Sequence, residues 1–240
     1  MCIIFHCFKN RPDDDLLKRA DIKNPDGIGI AWKIKKRSGE ELIQWEKGLN
    51  LEQLLDKLHN SPPEFPYVIH FRSATPGIPV CKELTHPFVA SPAASNALKG
   101  QAPTVIFHNG RWDQWKYTTF SIFKSIAKKI PKGPWSDSRA IALHFGVFGS
   151  AVMDFEDFGG TQRIFMFSAT REGSWKWGKW TTADGYEHSN PTHAHDGEIN
   201  VASPKELKKL EKQEKKAERK KSSPGTTSNC MLIISFKPFI

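Results

Sequence analysis

Apolar and polar positions along the chain follow two periods. Runs rich in β-branched and aromatic residues at 3–8, 27–34, 41–46, 67–72, 104–108, 163–167 and 174–181 predict strands. A three-and-four spacing is confined to three stretches. Leu51, Leu54, Leu55 and Leu58 predict a helix behind the cap candidate Asn50. Phe123, Ile126 and Ile130 form a second stripe, and 137–148 a third. Strands come early, helices stand between strand blocks, and strands return late. That order predicts an α+β protein with packed sheets covered by helices, not a regular βαβ alternation.

The punctuation between these runs sets the organisation. Residues 75–101 are dominated by proline and small residues and predict a long loop, a feature that in a compact domain usually serves function. Near residue 200 the pattern changes. We expect one domain over 1–200, a Lys/Glu-rich helix and flexible linker over 201–228, and a short apolar tail over 229–240 that could return as a strand. No internal repeat is found.

Composition changes this picture in three ways. The chain has 240 residues, 38% of them hydrophobic, enough for a substantial core. Its net charge of +9 suggests a nucleic-acid binder, but nine Lys/Arg against four Glu between 205 and 221 supply more than half of that excess. Nucleic acid is therefore an expected partner only through the basic tail. The four cysteines (Cys2, Cys7, Cys81, Cys230) have neither metal-knuckle spacing nor the density of a disulfide scaffold. Together with the lack of a signal-peptide pattern and of any bilayer-length apolar run, they predict a cytoplasmic protein without a membrane segment.

The candidate chemistry begins at "MCIIFHCF". Methionine removal is expected before a small second residue, and it would leave Cys2 carrying both a thiol and a free α-amine. That amine titrates near pH 8, so a neutral fraction can act as base towards its own thiol. Alternatively, Cys2 is a small buried hydrophobe at a strand end. Three further stretches set polar residues at the mouth of an apolar element: "VIHFRSATPG" (68–77), "VIFHNG" (105–110) and "WSDSRAIALHF" (135–145).

With "NPDGIGIAW" (24–32), "ELTHPF" (83–88) and "DGYEHSN" (184–190), these stretches stand in the order found in class II glutamine amidotransferases. The chain resembles their glutaminase domain over about residues 2–190. The resemblance implies an N-terminal-nucleophile hydrolase fold, a four-layer αββα sandwich of two mainly antiparallel sheets. It also implies glutamine as substrate, no cofactor or metal, and an ammonia-accepting synthase subunit as partner, because the tail is too short to hold a synthase. On this resemblance Cys2 is the nucleophile, and Asn109 (side-chain amide) with Gly110 (backbone N–H) forms the oxyanion hole. Thr75 lies in the substrate-binding stretch.

Substrate chemistry points the same way. Glutamine needs a cation for its carboxylate, which Arg72 can supply bidentately, and an anion for its ammonium, which Asp137 can supply. Two positions depart from the family pattern: Ile3 stands where many members have glycine, and Pro76 replaces a histidine.

Plainer readings stand beside these. Asn109-Gly110 is also a strong hairpin dipeptide, Arg72 could be a surface ion pair, and Asp137 could simply cap its helix. His70, His86 and His108 are expected to pack or hydrogen-bond rather than bind metal. The 193–195 His-Ala-His pair has no identifiable third ligand. "DGIGIAW" lacks the third glycine and following helix of a dinucleotide site. "SWKWGKW" (174–180) reads as a strand with a buried tryptophan face, with stacking on single-stranded nucleic acid as the alternative. Two other functions remain open: an N-terminal-nucleophile amidase acting on another amide, and a catalytically idle basic scaffold.

Overall fold

A computed structural model describes residues 2–125, 129–152, 162–170 and 173–189. These lie within one compact unit, Met1–Asn190. The end of the expected domain at 200, the 201–228 and 229–240 segments, Cys230 and the 193–195 pair lie outside the described residues.

Short β-branched and aromatic runs become strands β1 (Ile3–Cys7), β2 (Ile28–Lys35), β3 (Glu41–Leu49), β4 (Tyr67–Phe71), β7 (Thr104–Asn109) and β8 (Arg163–Ser168). The predicted 174–181 strand divides at Gly178, which takes a positive φ of 85°. Its halves become β9 (Trp175–Trp177) and β10 (Thr181–Ala183), and β11 (Tyr186–His188) follows. Trp175 and Trp180 pack on the cores while Trp177 is 42% exposed, so the expected tryptophan face is buried only in part. The 75–101 stretch is not all loop: it holds a short 3-10 turn at Lys82–Leu84, β5 (Phe88–Val89) and the start of β6 (Lys99–Ala102).

Four helices accompany the strands among the described residues. Helix α1 (Asp14–Lys23) was not expected. Its apolar stripe is thin, with Leu17 and Ala20 buried, but its ends carry the right chemistry. The Asp13 carboxylate accepts from Leu16 N, acids fill the first turn, and Lys23 ends the last. Helix α2 (Leu51–Asn60) opens on Asn50, which forms a capping box with Gln53. Helix α3 (Trp115–Ser125) begins earlier than the Phe123 stripe suggested. Ile130 falls beyond it and is 40% exposed, and Ile126 lies outside the described residues. Helix α4 spans Asp137–Phe148 as expected.

Every strand pairing is antiparallel. Seven strands run β10-β11-β1-β4-β2-β3-β6 and four run β5-β7-β8-β9. The period-two pattern of side chains sorts residues into three cores. Odd positions of β1 (Ile3, Phe5, Cys7) pack with Leu17 of α1 and with Leu54 and Leu58 of α2. Ile4, Ala31 and Val68 meet Val105, Phe107, Phe165 and Phe167 between the sheets. Ile106 and Ile164 pack with Phe123 of α3 and with Ile141, Leu143 and Phe145 of α4. The protein is thus α+β, with two antiparallel sheets and helices on their outer faces, an arrangement compatible with a sandwich. No helix among the described residues is long and apolar enough to cross a membrane.

Candidate functional site

Strand register brings the first two site residues together. In the β1–β4 ladder Ile3 faces Phe71, so one step further along each strand places Cys2 beside the Arg72–Ser73 segment. Cys2 Sγ accepts from the Ser73 amide at 3.3 Å and lies 3.4 Å from the Ser73 carbonyl. Burial pushes the thiol pKa up, and the Ser73 hydrogen bond and the nearby Arg72 charge oppose that rise. Cys7, on the other face of β1, is fully buried in the helix-side core.

Arg72 directly follows β4 and is 4% exposed. One guanidinium nitrogen, Nη2, donates to the Pro79 carbonyl at 2.9 Å, whereas Nη1 is buried without a partner among the described residues. Cys2, Asp26, Cys81 and Asp137 supply its electrostatic surroundings. The "NPDG" turn braces this segment. Asp26 Oδ2 accepts from Ala74 N at 2.7 Å, and Asp26 N donates to the Arg72 carbonyl at 3.0 Å. Gly29 permits a second approach, because a Cβ there would run into the His86 backbone carbonyl. Thr75 is half-buried, and its carbonyl closes a turn by accepting from Ile78 N at 3.0 Å.

The other wall comes from β7 and α4. Asp137 is the first residue of α4, and the cap is its neighbour: Ser136 Oγ accepts from Arg139 N at 3.2 Å. The capping alternative for Asp137 is thereby corrected. Its carboxylate accepts from Ser138 N at 2.8 Å and from Trp112 N at 3.1 Å, which fixes its direction and leaves further acceptor capacity. Arg139 sits deep behind it, donating to the carbonyls of Ala94, Lys132 and Pro134 and holding the preceding loops.

Cys2, Arg72, Thr75, Gly110 and Asp137 line one cleft. Asn109 does not. It is 1% exposed, its Nδ2 donates to Ser189 Oγ at 2.9 Å, and its Oδ1 has no partner among the described residues. The expected side-chain amide donor is therefore turned towards Ser189, which also receives Ile4 N. Pro76 and Gly77 form the exposed rim beside Thr75. The cleft is narrow, about 30 Å³, room for roughly two waters. A wider groove of about 500 Å³ around Arg11, Tyr67 and Tyr186 contains none of the expected site residues.

Sequence reading missed two participants. His86, expected to pack or hydrogen-bond, lines the cleft with both ring nitrogens unpartnered among the described residues, its ring centroid 3.9 Å from that of His70. Burial first, then the neighbouring cationic groups, holds its pKa well below the usual imidazole value, so it is neutral near pH 7. Gln162 belongs to no recognisable motif and reaches the site only through the β8 edge. Among the described residues no three His, Cys, Asp or Glu side chains gather as a metal ion would require.

The cleft thus combines a thiol, a cation with a free donor, an oriented carboxylate and a glycine turn. Comparison with models of known protein families and with curated proteins returns no match.

Proposed function

We propose that this chain is an amidohydrolase of the glutamine amidotransferase type, built on an N-terminal-nucleophile hydrolase fold and starting, in its active form, at Cys2. The observation that carries this reading is that Cys2, Arg72 and Asp137, from three separate segments, line one cleft, and that Arg72 Nη1 has no partner among the described residues. A thiol alone would suit many amides. The opposite charges flanking it suit the carboxylate and ammonium of a free α-amino acid, which favours glutamine over an amide lacking them.

In this mechanism the neutral α-amine of Cys2 takes the thiol proton, and the thiolate adds to the glutamine side-chain carbonyl carbon. The oxyanion is stabilised by the Gly110 backbone N–H. The amine returns the proton to the departing nitrogen, so ammonia leaves and a γ-glutamyl thioester remains. Water, deprotonated by the same amine, cleaves that thioester to glutamate and restores the thiol. Ammonia is protonated quickly in water, so a docked synthase subunit is the expected acceptor. The cleft, at about 30 Å³, must widen to admit glutamine.

Intact and peptide mass analysis before and after treatment with a glutamine-like electrophile tests the proposal. The expected result is loss of Met1, a single adduct on Cys2 competed by glutamine, and ammonia release from glutamine that Cys2→Ala abolishes. Full turnover by Cys2→Ala, or adducts spread over Cys7 and Cys81, would sink it.

A further inference from the structure

We propose that Gln162 is the positioning residue of the Asn109–Trp112 turn, holding the Gly110 N–H where an oxyanion forms and tying that turn to Asp137; this rests on the glutaminase reading above. Gln162 is 3% exposed and wedged between two glycines. A Cβ at Gly110 would strike its side chain, and a Cβ at Gly178 would strike its carbonyl. Gly110 is thus needed for the glutamine side chain to sit this close, and Gly178 for the neighbouring strand to pass the backbone at 162.

The hydrogen bonds specify its orientation. Gln162 Nε2 donates to the Arg111 carbonyl, which can only accept. Its Oε1 therefore faces His108, whose Nε2–H donates to it at 2.6 Å. His108 Nδ1 and the Ser138 hydroxyl are hydrogen-bonded across 3.0 Å, and the same hydroxyl oxygen lies 3.4 Å from Asp137 Oδ1. Ser138 N in turn donates to Asp137 Oδ1 at 2.8 Å, and Trp112 N donates to Asp137 Oδ2 at 3.1 Å. His70 Nε2 completes the bracing by donating to the His108 carbonyl at 3.2 Å. One buried amide thereby grips the turn at His108 and Arg111 and fills the space beside Gly110. The same chain reaches the carboxylate that would hold the substrate ammonium.

A positioning role of this kind acts on the transition state more than on bound substrate, because Arg72 lies outside the chain of bonds and Asp137 keeps its Ser138 N–H within α4. Gln162→Glu tests it with little change of shape. The ionised carboxylate still accepts from His108 but turns an acceptor against the Arg111 carbonyl. Once protonated, it can donate there as the amide does. Burial against a carbonyl raises such a carboxyl's pKa, so protonation should come within a workable pH range. With active sites counted by electrophile titration, kcat falls roughly tenfold or more while KM stays within about twofold of wild type. The ratio of variant to wild-type kcat then climbs as pH falls.

Unchanged kcat, or a loss that is flat with pH, overturns the proposal. Amide hydrogen exchange over 109–113 gives a readout independent of turnover, and it should quicken in the variant at neutral pH. If the wild-type protein releases no ammonia from glutamine, the functional reading fails by itself. In that case unchanged exchange in Gln162→Glu overturns the clamp, and faster exchange upholds Gln162 as the residue that holds the turn.

Discussion

An arginine only 4% exposed, with one guanidinium nitrogen buried and unpartnered among the described residues, is costly unless something else satisfies it. At Arg72 one side of the fork is spent on the Pro79 carbonyl, so the other is available to a ligand anion. We expect Arg72→Lys to raise KM for glutamine about tenfold, because an ammonium cannot hold Pro79 and a carboxylate in one plane. kcat should change much less. Steady-state kinetics checks this, and an unchanged KM would mean that Arg72 serves only to anchor the 79–80 segment. Arg72 was legible in the sequence because its residue type and its place after an apolar run both signal chemistry. Gln162 was not, since a lone glutamine becomes meaningful only when folding sets two glycines and a histidine around it.

At the scale of elements, two segments matter more than their length suggests. Strand β2 must pass under the backbone of the 85–86 segment, and Gly29 is the point of closest approach. Gly29→Ala should destabilise the protein by about 1–3 kcal/mol through overpacking and also lower activity, because His86 and the cleft wall must shift. Asn50→Ala is the contrast: it removes a capping box far from the cleft. It should lower stability by about 1 kcal/mol in urea titration and leave ammonia release unchanged. Equal effects of the two variants on activity would contradict this division.

Most strands and helices α2 and α4 were legible because their apolar spacing is regular and their ends carry cap chemistry. Helix α1 was not, because two buried residues make too thin a stripe. Short strands such as β5, β6 and β11 also escaped notice, since two to four residues cannot establish a period and their pairing is decided by partners elsewhere in the chain.

Across the whole molecule, buried histidines dominate the response to acid. Burial holds His70 at about 3 and His144 at about 4, and His86 well below 6.5. Between pH 6.5 and those values the unfolded chain binds protons that the folded chain refuses. Stability therefore falls as pH drops below about 6.5 and recovers as it rises. On the alkaline side two buried groups oppose each other: the Cys7 thiol, pushed up by burial, loses its contribution as pH rises past the ordinary thiol value, while Lys47, lowered to about 7 by burial, gains one as pH rises towards the ordinary lysine value. Urea midpoints measured from pH 4 to pH 7 should climb with pH, and a midpoint flat between pH 4 and pH 6.5 would refute the histidine account.

By itself the sequence determined where strands and helices can form, which face of each is apolar, and which residue types could serve a glutamine-like substrate. Those properties are local, carried by spacing, caps and side-chain chemistry. Only the tertiary structure decided that Cys2 lies beside Arg72, that Asp137 is held by Trp112 rather than spent as a cap, and that Asn109 turns to Ser189. It also decided that Gln162 grips the turn at Gly110. Each of these depends on strand register and on contacts between residues 25 to 80 positions apart, and no local pattern encodes which distant partner will be brought within hydrogen-bonding reach.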